Sequence, residues 1–362
     1  MDVLEAIDTA RRRRRFVDQT YDHPRYAHCM RKLQRQFATC DIRKEKYLHI
    51  LVGWTGSGKT RLLERFHEEH PDTETRLGVS KPIIYATLGN KVTEKAVVAA
   101  IFKQMGYELK GRFNKDDIID EVALKVELLG TKMIIIDEAQ NVMRGKAADN
   151  AEFLKSLRQR LPCDLVLAGL PQLEELKYAE GQLTRRTAPV SNLHAYRVER
   201  PWERKQFLEI LRRAEAALEL PAESGLTTPE IASRIYAASD GLMGIVIKLL
   251  GDALELTLEF GNDRIELEFL AQVFARDYEK SSADADTGGG VLTLLQAFSG
   301  ADVEDDGLAE LEDTWVPVDK LTNPFACPVD QLNRVHERQR DLFRSIEHNK
   351  HGWSDRFAGK AK

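Results

Sequence analysis

The sequence predicts an α/β protein in which a parallel sheet is covered by helices on both faces, followed by a smaller helical domain. Two observations support this fold class. Between residues 47 and 200, short apolar runs alternate with segments of helical periodicity, as in strand–helix–strand units. From Trp202 to Tyr278 only helical periodicity remains. The pattern changes at Pro201, which marks the predicted boundary between the two domains.

Each element of the sheet domain is predicted from its local composition. The strands are short, rich in Ile, Val and Leu, and bounded by Gly, Pro or charged residues, as buried parallel strands are. They are predicted at Tyr47–Val52, Pro82–Ala86, Lys132–Ile136 and Asp164–Ala168. Helices are predicted between them at Lys59–His70, Glu94–Met105, Lys115–Leu129 and Asp149–Arg160.

The segments that flank the sheet domain (residues 47–200) complete the predicted organisation. An N-terminal extension, residues 1–46, contains a helix at His23–Ala38, where apolar side chains recur at helical spacing. The helical domain, residues 201–280, is predicted to contain the helices Glu203–Leu218, Thr228–Ala238, Gly244–Phe260 and Leu267–Tyr278. An acidic flexible linker, residues 281–313, and a C-terminal tail, residues 314–362, follow.

The composition excludes several classes of protein. The 362 residues include 53 Lys and Arg against 58 Asp and Glu, and no apolar run reaches the roughly 18 residues of a membrane helix. The four cysteines form no CxxC pair, so neither a zinc site nor a disulfide framework is predicted. The expected location is the cytoplasm. The basic run Arg11–Arg15 is either a contact for a charged partner or a solvated surface.

A glycine-rich segment carries the strongest chemical signal. Residues Gly53–Thr60 read GWTGSGKT, which matches the phosphate-binding pattern GxxxxGK[ST], and they lie between an apolar strand and a helix. Glycines allow backbone N–H groups to turn toward phosphate oxygens at the helix N-terminus. Lys59 is predicted to reach the β- and γ-phosphates, and Thr60 to ligate Mg²⁺. The predicted nucleotide-binding residues are Gly53, Thr55, Gly56, Ser57, Gly58, Lys59, Thr60, Arg61 and Asp137.

Two adjacent carboxylates form the second signal. Asp137 and Glu138 follow directly on the apolar run Met133–Ile136. A buried parallel strand carries charge only where it emerges at its carboxyl end, which is where ligands bind in α/β sheets. Asp137 is therefore the predicted Mg²⁺ partner, and Glu138 is placed to orient or polarise the water that attacks the γ-phosphate. ATP and Mg²⁺ are the predicted cofactors, and ATP hydrolysis is the predicted reaction.

The run Ile134–Gln140, IIIDEAQ, together with the helical domain after the sheet, resembles the AAA+ class of ATPases over about residues 45–280. The resemblance implies a ring or spiral in which an arginine of one subunit completes the neighbour's active site. Arg185 is the first candidate for this arginine and Arg186 the second, with a surface basic pair as the alternative. Two departures from the class pattern, at Ala168–Leu170 and at Gly244, imply slow or switch-like hydrolysis.

Further segments resemble the TniB/TnsC family of transposition regulators over roughly residues 15–280. They are Arg15–Asp18, Tyr21–Tyr26, Leu167–Leu173 and the Leu-Thr-Arg-Arg element at 183–186. The resemblance implies an ATP-dependent homo-oligomer on duplex DNA that links a target selector of the TniQ/TnsD type to a transposase. It also implies sequence-independent contacts to the DNA backbone by basic residues after the second strand, with a solvated helix face as the alternative. These residues are Lys91, Lys95, Lys103, Lys110 and Arg112.

Two questions stay open at this point. The IDEAQ motif also occurs in secretion-associated and initiator-like AAA+ ATPases, so both remain alternative functions. The tail is either a docking peptide for the transposase or a helix at Val329–Ile346 that packs on the chain's own core. Its apolar anchors on a basic segment favour the docking peptide. They are Trp315, Val316, Leu321, Pro324, Phe325, Leu332, Phe343 and Trp353.

Overall fold

A computed structural model describes residues 3–20, 22–76, 78–89, 92–109, 114–143, 147–176, 187–278, 323–333 and 336. The chain divides into a sheet unit, residues 24–194, and a helical unit formed by residues 1–23 and 195–362. The α-helices of the described part are α1 (Val3–Thr20), α2 (Pro24–Thr39), α3 (Lys59–Glu68), α4 (Glu94–Met105), α5 (Lys115–Leu128), α6 (Ala147–Arg160), α7 (Pro201–Leu218), α8 (Pro229–Ser239), α9 (Met243–Glu259) and α10 (Leu267–Tyr278). None of these helices is both long enough and apolar enough to cross a membrane.

The sheet unit is built on five parallel strands in the order β4-β5-β6-β1-β7. The strands of the described residues are β1 (Leu48–Val52), β2 (Thr73–Thr75), β3 (Gly78–Ser80), β4 (Ile83–Thr87), β5 (Met133–Asp137), β6 (Asp164–Gly169) and β7 (Ser191–Asn192). Every residue of β1, β5 and β6 is buried, which explains why apolar residues predominate in these strands; their polar members are His49, Asp137 and Asp164. The predicted α/β class with a parallel sheet is confirmed.

Two helices of the sheet unit, α4 and α5, begin at residues whose side chains cap them. Thr93 caps α4 by accepting a hydrogen bond from the N–H of Ala96, and Asn114 caps α5 by accepting one from Asp116. The predicted boundaries of α4 are those observed, and those of α3, α5 and α6 differ from the structure by two residues or fewer. The antiparallel pair β2–β3 and the two-residue strand β7 have no counterpart in the sequence prediction, because they are too short to show a period.

The N-terminal segment is where the structure differs from the predicted extension at residues 1–46. α1 belongs to the helical unit, whereas α2 belongs to the sheet unit. Phe16 of α1 is fully buried in a core that also contains Phe207, Leu250 and Phe274. Arg13 adds an ion pair of 2.5 Å to the buried carboxylate of Asp252 on α9. The C-terminal half of α1, at Phe16, is therefore covered by residues that lie some 200 positions later in the sequence.

Part of the C-terminal tail also packs on the helical unit. Phe325, Cys327 and Leu332 are buried in the core of this unit. The guanidinium of Arg234, on α8, donates to the carbonyl oxygens of Pro324 at 2.7 Å and Cys327 at 2.9 Å. Because these contacts are internal, Phe325 and Leu332 serve the chain's own core, unlike the docking role that the sequence assigns to residues 314–362. The tail anchors Trp315, Val316, Leu321, Phe343 and Trp353 lie outside the described residues.

A buried polar cluster holds the amino end of the sheet. Asp164, the first residue of β6, is completely buried and accepts hydrogen bonds from His49 Nε2 at 2.9 Å, Arg43 at 2.6 Å and the N–H of Tyr47 at 2.9 Å. Burial alone would raise the pKa of Asp164, but the hydrogen bonds from His49 and Tyr47 outweigh it and hold the pKa below its ordinary value. Burial lowers the pKa of His49, so the folded protein favours the neutral imidazole.

This cluster predicts a loss of stability on the acid side of neutrality. An unfolded histidine takes up a proton below about pH 6.5, whereas folded His49 resists protonation, so the free energy of unfolding falls as the pH drops through that value. The lowered pKa of Asp164 acts in the same direction at still lower pH. Its contribution to the free energy of unfolding is lost as the pH falls through the folded pKa. Urea unfolding of wild type at pH 7.5 and 5.5 should therefore show a lower midpoint at pH 5.5.

His49→Gln should reduce this pH dependence, because glutamine keeps a donor for Asp164 but does not titrate. The exposed residue His28 supplies the matched control, and His28→Gln should leave the pH dependence as in wild type. Equal pH dependence in wild type and His49→Gln would show that another group is responsible.

Candidate functional site

The glycine-rich loop joins β1 to the N-terminus of α3. Gly58 caps α3 with a φ of 93°, a left-handed conformation that an L side chain rarely adopts. The N–H of Ser57 donates to the carbonyl of Trp54 at 3.0 Å, and the N–H of Leu62 donates to Gly58 at 3.0 Å. The helix thus starts directly at Lys59, with the loop wrapped around its N-terminus. A helix N-terminus of this kind favours a bound anion.

Gly53 fixes the start of the loop because no side chain fits there. A Cβ at this position would lie 2.5 Å from Ser57 Oγ and 2.8 Å from the carbonyl oxygen of Leu193. The N–H of Gly53 donates to the carbonyl of Gly169, at the end of β6, at 3.1 Å. The loop is therefore held against the carboxyl ends of the neighbouring strands, as the pattern GxxxxGK[ST] requires.

Two polar side chains of the loop suit an anionic ligand. The buried ammonium of Lys59 donates to the carbonyl oxygens of Gly53 at 2.6 Å and Trp54 at 3.1 Å. Ser57 Oγ is buried and has no hydrogen-bond partner among the described residues. A buried hydroxyl without a partner is costly, and a phosphate oxygen would supply the acceptor. The residues present therefore fit a bound phosphate chain.

Asp137 connects the loop helix to the end of β5. Its carboxylate is fully buried, and Oδ2 accepts hydrogen bonds from Thr60 Oγ1 at 2.8 Å and from the hydroxyl of Tyr85 at 3.1 Å. Burial, and then the charge of Asp137, raises the pKa of Tyr85, so this phenol remains a donor. A carboxylate and a hydroxyl within hydrogen-bond distance are the oxygen ligands that Mg²⁺ prefers. The pair Thr60 and Asp137 therefore fits the predicted metal.

Glu138 is held next to this pair by its backbone. Its φ of 56° lies in the left-handed region, which is uncommon for a residue with a side chain. The N–H of Glu138 donates to Asp137 Oδ1 at 2.8 Å, and its carbonyl accepts from the N–H of Asn141 at 2.9 Å. Strained backbone of this kind persists where surrounding contacts fix it, and it is concentrated at functional sites.

Sequence reasoning missed one residue of this site. Gln140 Nε2 donates to Oε2 of Glu138 at 2.6 Å, and Gln140 Oε1 accepts from the N–H of Leu170 at 3.2 Å. Gln140 stands in the IDEAQ motif, so the sequence contains a signal for its proximity to Glu138. The contact with Leu170 depends on the pairing of β5 with β6, which the sequence alone does not specify.

The remaining predicted residues are placed as follows. Thr55 is exposed in the loop. The guanidinium of Arg61 lies 3.9 Å from the carboxylate of Glu68, two turns further along α3. Lys95 and Lys103 are exposed on α4. The predicted trans-acting arginines and the other predicted DNA contacts lie outside the described residues; they are Arg185, Arg186, Lys91, Lys110 and Arg112.

Comparison with known proteins identifies both a family and a fold. Residues 12–195 match the family described as bacterial TniB protein. No curated protein matches the chain in sequence. Among solved structures, the Aeropyrum pernix ORC2 protein in its ADPNP and ADP complexes is 16% identical with a TM-score of 0.50, covering 75% of this chain and 73% of that one. At this identity the likeness shows the fold.

Two other structures are similar at lower TM-scores. The Aeropyrum pernix ORC1 protein in complex with DNA is 18% identical with a TM-score of 0.48, covering 68% of this chain and 64% of that one. A RuvB variant from Thermotoga maritima is 20% identical with a TM-score of 0.39, covering 68% of this chain and 67% of that one.

Proposed function

Since the chain belongs to the TniB family and is an ATPase with the AAA+ fold, we propose that it uses ATP to control its own assembly on DNA during transposition. The observation that carries the nucleotide part is the 2.8 Å contact between Thr60 and Asp137 beside a complete phosphate loop. This contact joins two residues that are 77 positions apart in the chain, and the sequence predicts both of them as ligands of Mg²⁺.

The proposed roles follow from the chemistry of each side chain. Lys59 exchanges its bonds to the loop carbonyls for the β- and γ-phosphate oxygens. Thr60 and Asp137 hold Mg²⁺, which neutralises charge on the phosphates when it is bound. Glu138 orients the attacking water and accepts its proton. Gly53, Gly56, Ser57 and Gly58 form the cradle, with Thr55 and Arg61 at its edge.

An arginine supplied by a neighbouring subunit is proposed to complete the site. The resemblance to AAA+ ATPases assigns this role to Arg185, with Arg186 as the second candidate. In related phosphoryl transfers, an arginine that contacts the γ-phosphate in the transition state raises the rate of hydrolysis by about 10³–10⁵-fold. Hydrolysis would then occur only in the assembled homo-oligomer, which couples it to the state of the assembly.

DNA is proposed to bind through the phosphate backbone without base readout. Lys95 and Lys103 are exposed on α4, where their ammonium groups can approach phosphates from solvent. Lys91, Lys110 and Arg112 are proposed to extend the same surface. Family membership supports a target selector of the TniQ/TnsD type and a transposase as protein partners.

Duplex binding tests this proposal directly. Fluorescence anisotropy with a random-sequence duplex should show salt-sensitive binding with ATP and Mg²⁺, and much weaker binding with ADP. The double variant Lys95→Ala/Lys103→Ala should weaken binding about equally for different sequences. In a plot of log affinity against log salt concentration, the magnitude of the slope should fall by about 0.9 for each phosphate that the variant no longer neutralises. Its affinity for ATP should be unchanged.

The matched control removes two exposed lysines elsewhere, as Lys44→Ala/Lys205→Ala. This control should keep the wild-type salt slope. An unchanged slope in Lys95→Ala/Lys103→Ala would place the DNA on another surface, with Arg11–Arg15 as the next candidate. Absence of any ATP-dependent duplex binding would instead favour a secretion-type ATPase.

A further inference from the structure

Gln140 joins the carboxylate of Glu138 to the end of β6. The two hydrogen bonds of its amide, to Glu138 at 2.6 Å and from Leu170 at 3.2 Å, define which way the amide faces. A backbone N–H only donates and an ionised carboxylate only accepts, so the oxygen of Gln140 faces Leu170 and its NH₂ faces Glu138. Gln140 is buried, which shields both bonds from competition by water.

The end of β6 is shaped to admit this amide. A Cβ on Gly169 would lie 2.2 Å from Gln140 Oε1 and 3.2 Å from the backbone nitrogen of Gln140. Glycine therefore leaves the space that the Gln140 side chain fills. The carbonyl of Gly169 also accepts the N–H of Gly53 at 3.1 Å, so residues 169 and 170 contact both the phosphate loop and Gln140.

The backbone of Glu138 is already fixed by the hydrogen bonds to Asp137 and from Asn141. These backbone hydrogen bonds do not fix the direction of the Glu138 side chain. The bond from Gln140 occupies Oε2 and leaves Oε1 for a water. A shift of about 1 Å in a reacting group can cost about 100-fold in rate, so the direction of this carboxylate matters for hydrolysis.

We propose that Gln140 is the positioning residue for Glu138 and aligns its carboxylate with the phosphate loop through Gly169 and Leu170. The inference rests on the proposed function, in which Glu138 activates the attacking water. Gln140 itself touches neither the water nor the nucleotide. It acts by holding one oxygen of Glu138 while its own second hydrogen bond comes from Leu170, the residue directly after Gly169, which contacts Gly53.

The main test is Gln140→Met, which keeps the length of the side chain and removes both hydrogen bonds. Steady-state hydrolysis should show kcat reduced about 10–100-fold, while the affinity for a fluorescent ATP analogue stays within about twofold of wild type. The control is Gln34→Met, because Gln34 also donates to a glutamate, Glu69 at 3.0 Å, but on the surface. This control should keep wild-type kcat.

A second variant reaches the same contact from the other side. Gly169→Ala should displace the Gln140 amide, because the added Cβ takes its place, and should lower kcat with ATP affinity retained. In the background of Glu138→Gln, Gln140→Met should cause no further loss, since both changes act on one step. Thermal unfolding of each variant is measured to check that the variant is folded.

The outcomes separate this inference from the function on which it rests. Wild-type kcat in Gln140→Met, or a further loss in the Glu138→Gln background, would overturn the positioning role while leaving ATP hydrolysis by Glu138 intact. A fall in ATP affinity equal to the fall in kcat would overturn it as well, because that result indicates a purely structural residue. If Glu138→Gln itself hydrolyses ATP at the wild-type rate, the role of Glu138 fails, and the positioning role fails with it.

Discussion

Glu138→Gln is expected to lower ATP hydrolysis by about 10²–10⁴-fold and to leave ATP binding nearly unchanged. Glutamine keeps the size of the side chain and can still accept the hydrogen bond from Gln140, but it cannot accept a proton from the attacking water. The loop, Lys59 and the Thr60–Asp137 pair are untouched by this change. Steady-state phosphate release measures the rate, and titration with a fluorescent ATP analogue measures the affinity.

The matched control is Glu127→Gln, which removes an exposed carboxylate from α5 and should hydrolyse ATP as wild type does. Because Glu138→Gln holds ATP without consuming it, its complex with duplex DNA should persist longer than that of wild type after free ATP is removed. A loss of ATP affinity as large as the loss of rate would contradict the separation of binding from catalysis.

Lys59→Met is expected to reduce nucleotide affinity by about 100-fold or more, which corresponds to roughly 3 kcal/mol for a charged hydrogen-bonding partner of phosphate. Methionine keeps much of the apolar stem but lacks the ammonium that lies 2.6 Å from Gly53 O. ATP-dependent binding to duplex DNA should disappear together with nucleotide binding. The same titration and anisotropy measurements test both effects.

The two variants are expected to differ in DNA binding. Glu138→Gln should bind duplex DNA in the presence of ATP, and Lys59→Met should not, although both are defective in hydrolysis. Thermal unfolding of Lys59→Met without nucleotide shows whether removal of the bonds to Gly53 and Trp54 disturbs the loop. Retention of wild-type ATP affinity by a folded Lys59→Met would contradict the proposed site.

The parts of the site that lie close together in sequence were predictable from local chemistry. Residues 53–60 contain glycines, a lysine and a hydroxyl within one short segment, so their joint role in binding phosphate is visible in the local sequence. Asp137 and Glu138 were identified because a strand buried on both faces tolerates charge only where it emerges at its end. The strands themselves were predicted because buried strands are mostly apolar, although the structure also buries His49 within β1 and Asp164 at the start of β6.

Contacts between distant segments were not predictable in this way. The sequence predicts the helix His23–Ala38, which corresponds to α2, but it does not predict α1, and a helical pattern does not say which apolar core a helix joins. Only the structure assigns Phe16 to the core of the helical unit. The same holds for Phe325 and Leu332, whose burial depends on the position of Arg234 and its neighbours.

The sequence by itself determined the α/β class, the phosphate loop and the pair of carboxylates, because period, composition and spacing along the chain are sufficient for these. The tertiary structure decided that Thr60 meets Asp137, that Gln140 bridges Glu138 and Leu170, and that Asp164 accepts hydrogen bonds from His49 and Arg43. The physical reason is strand order. Placing β1 and β5 on either side of β6 brings together side chains that are 30 to 121 residues apart, and no local pattern contains that order.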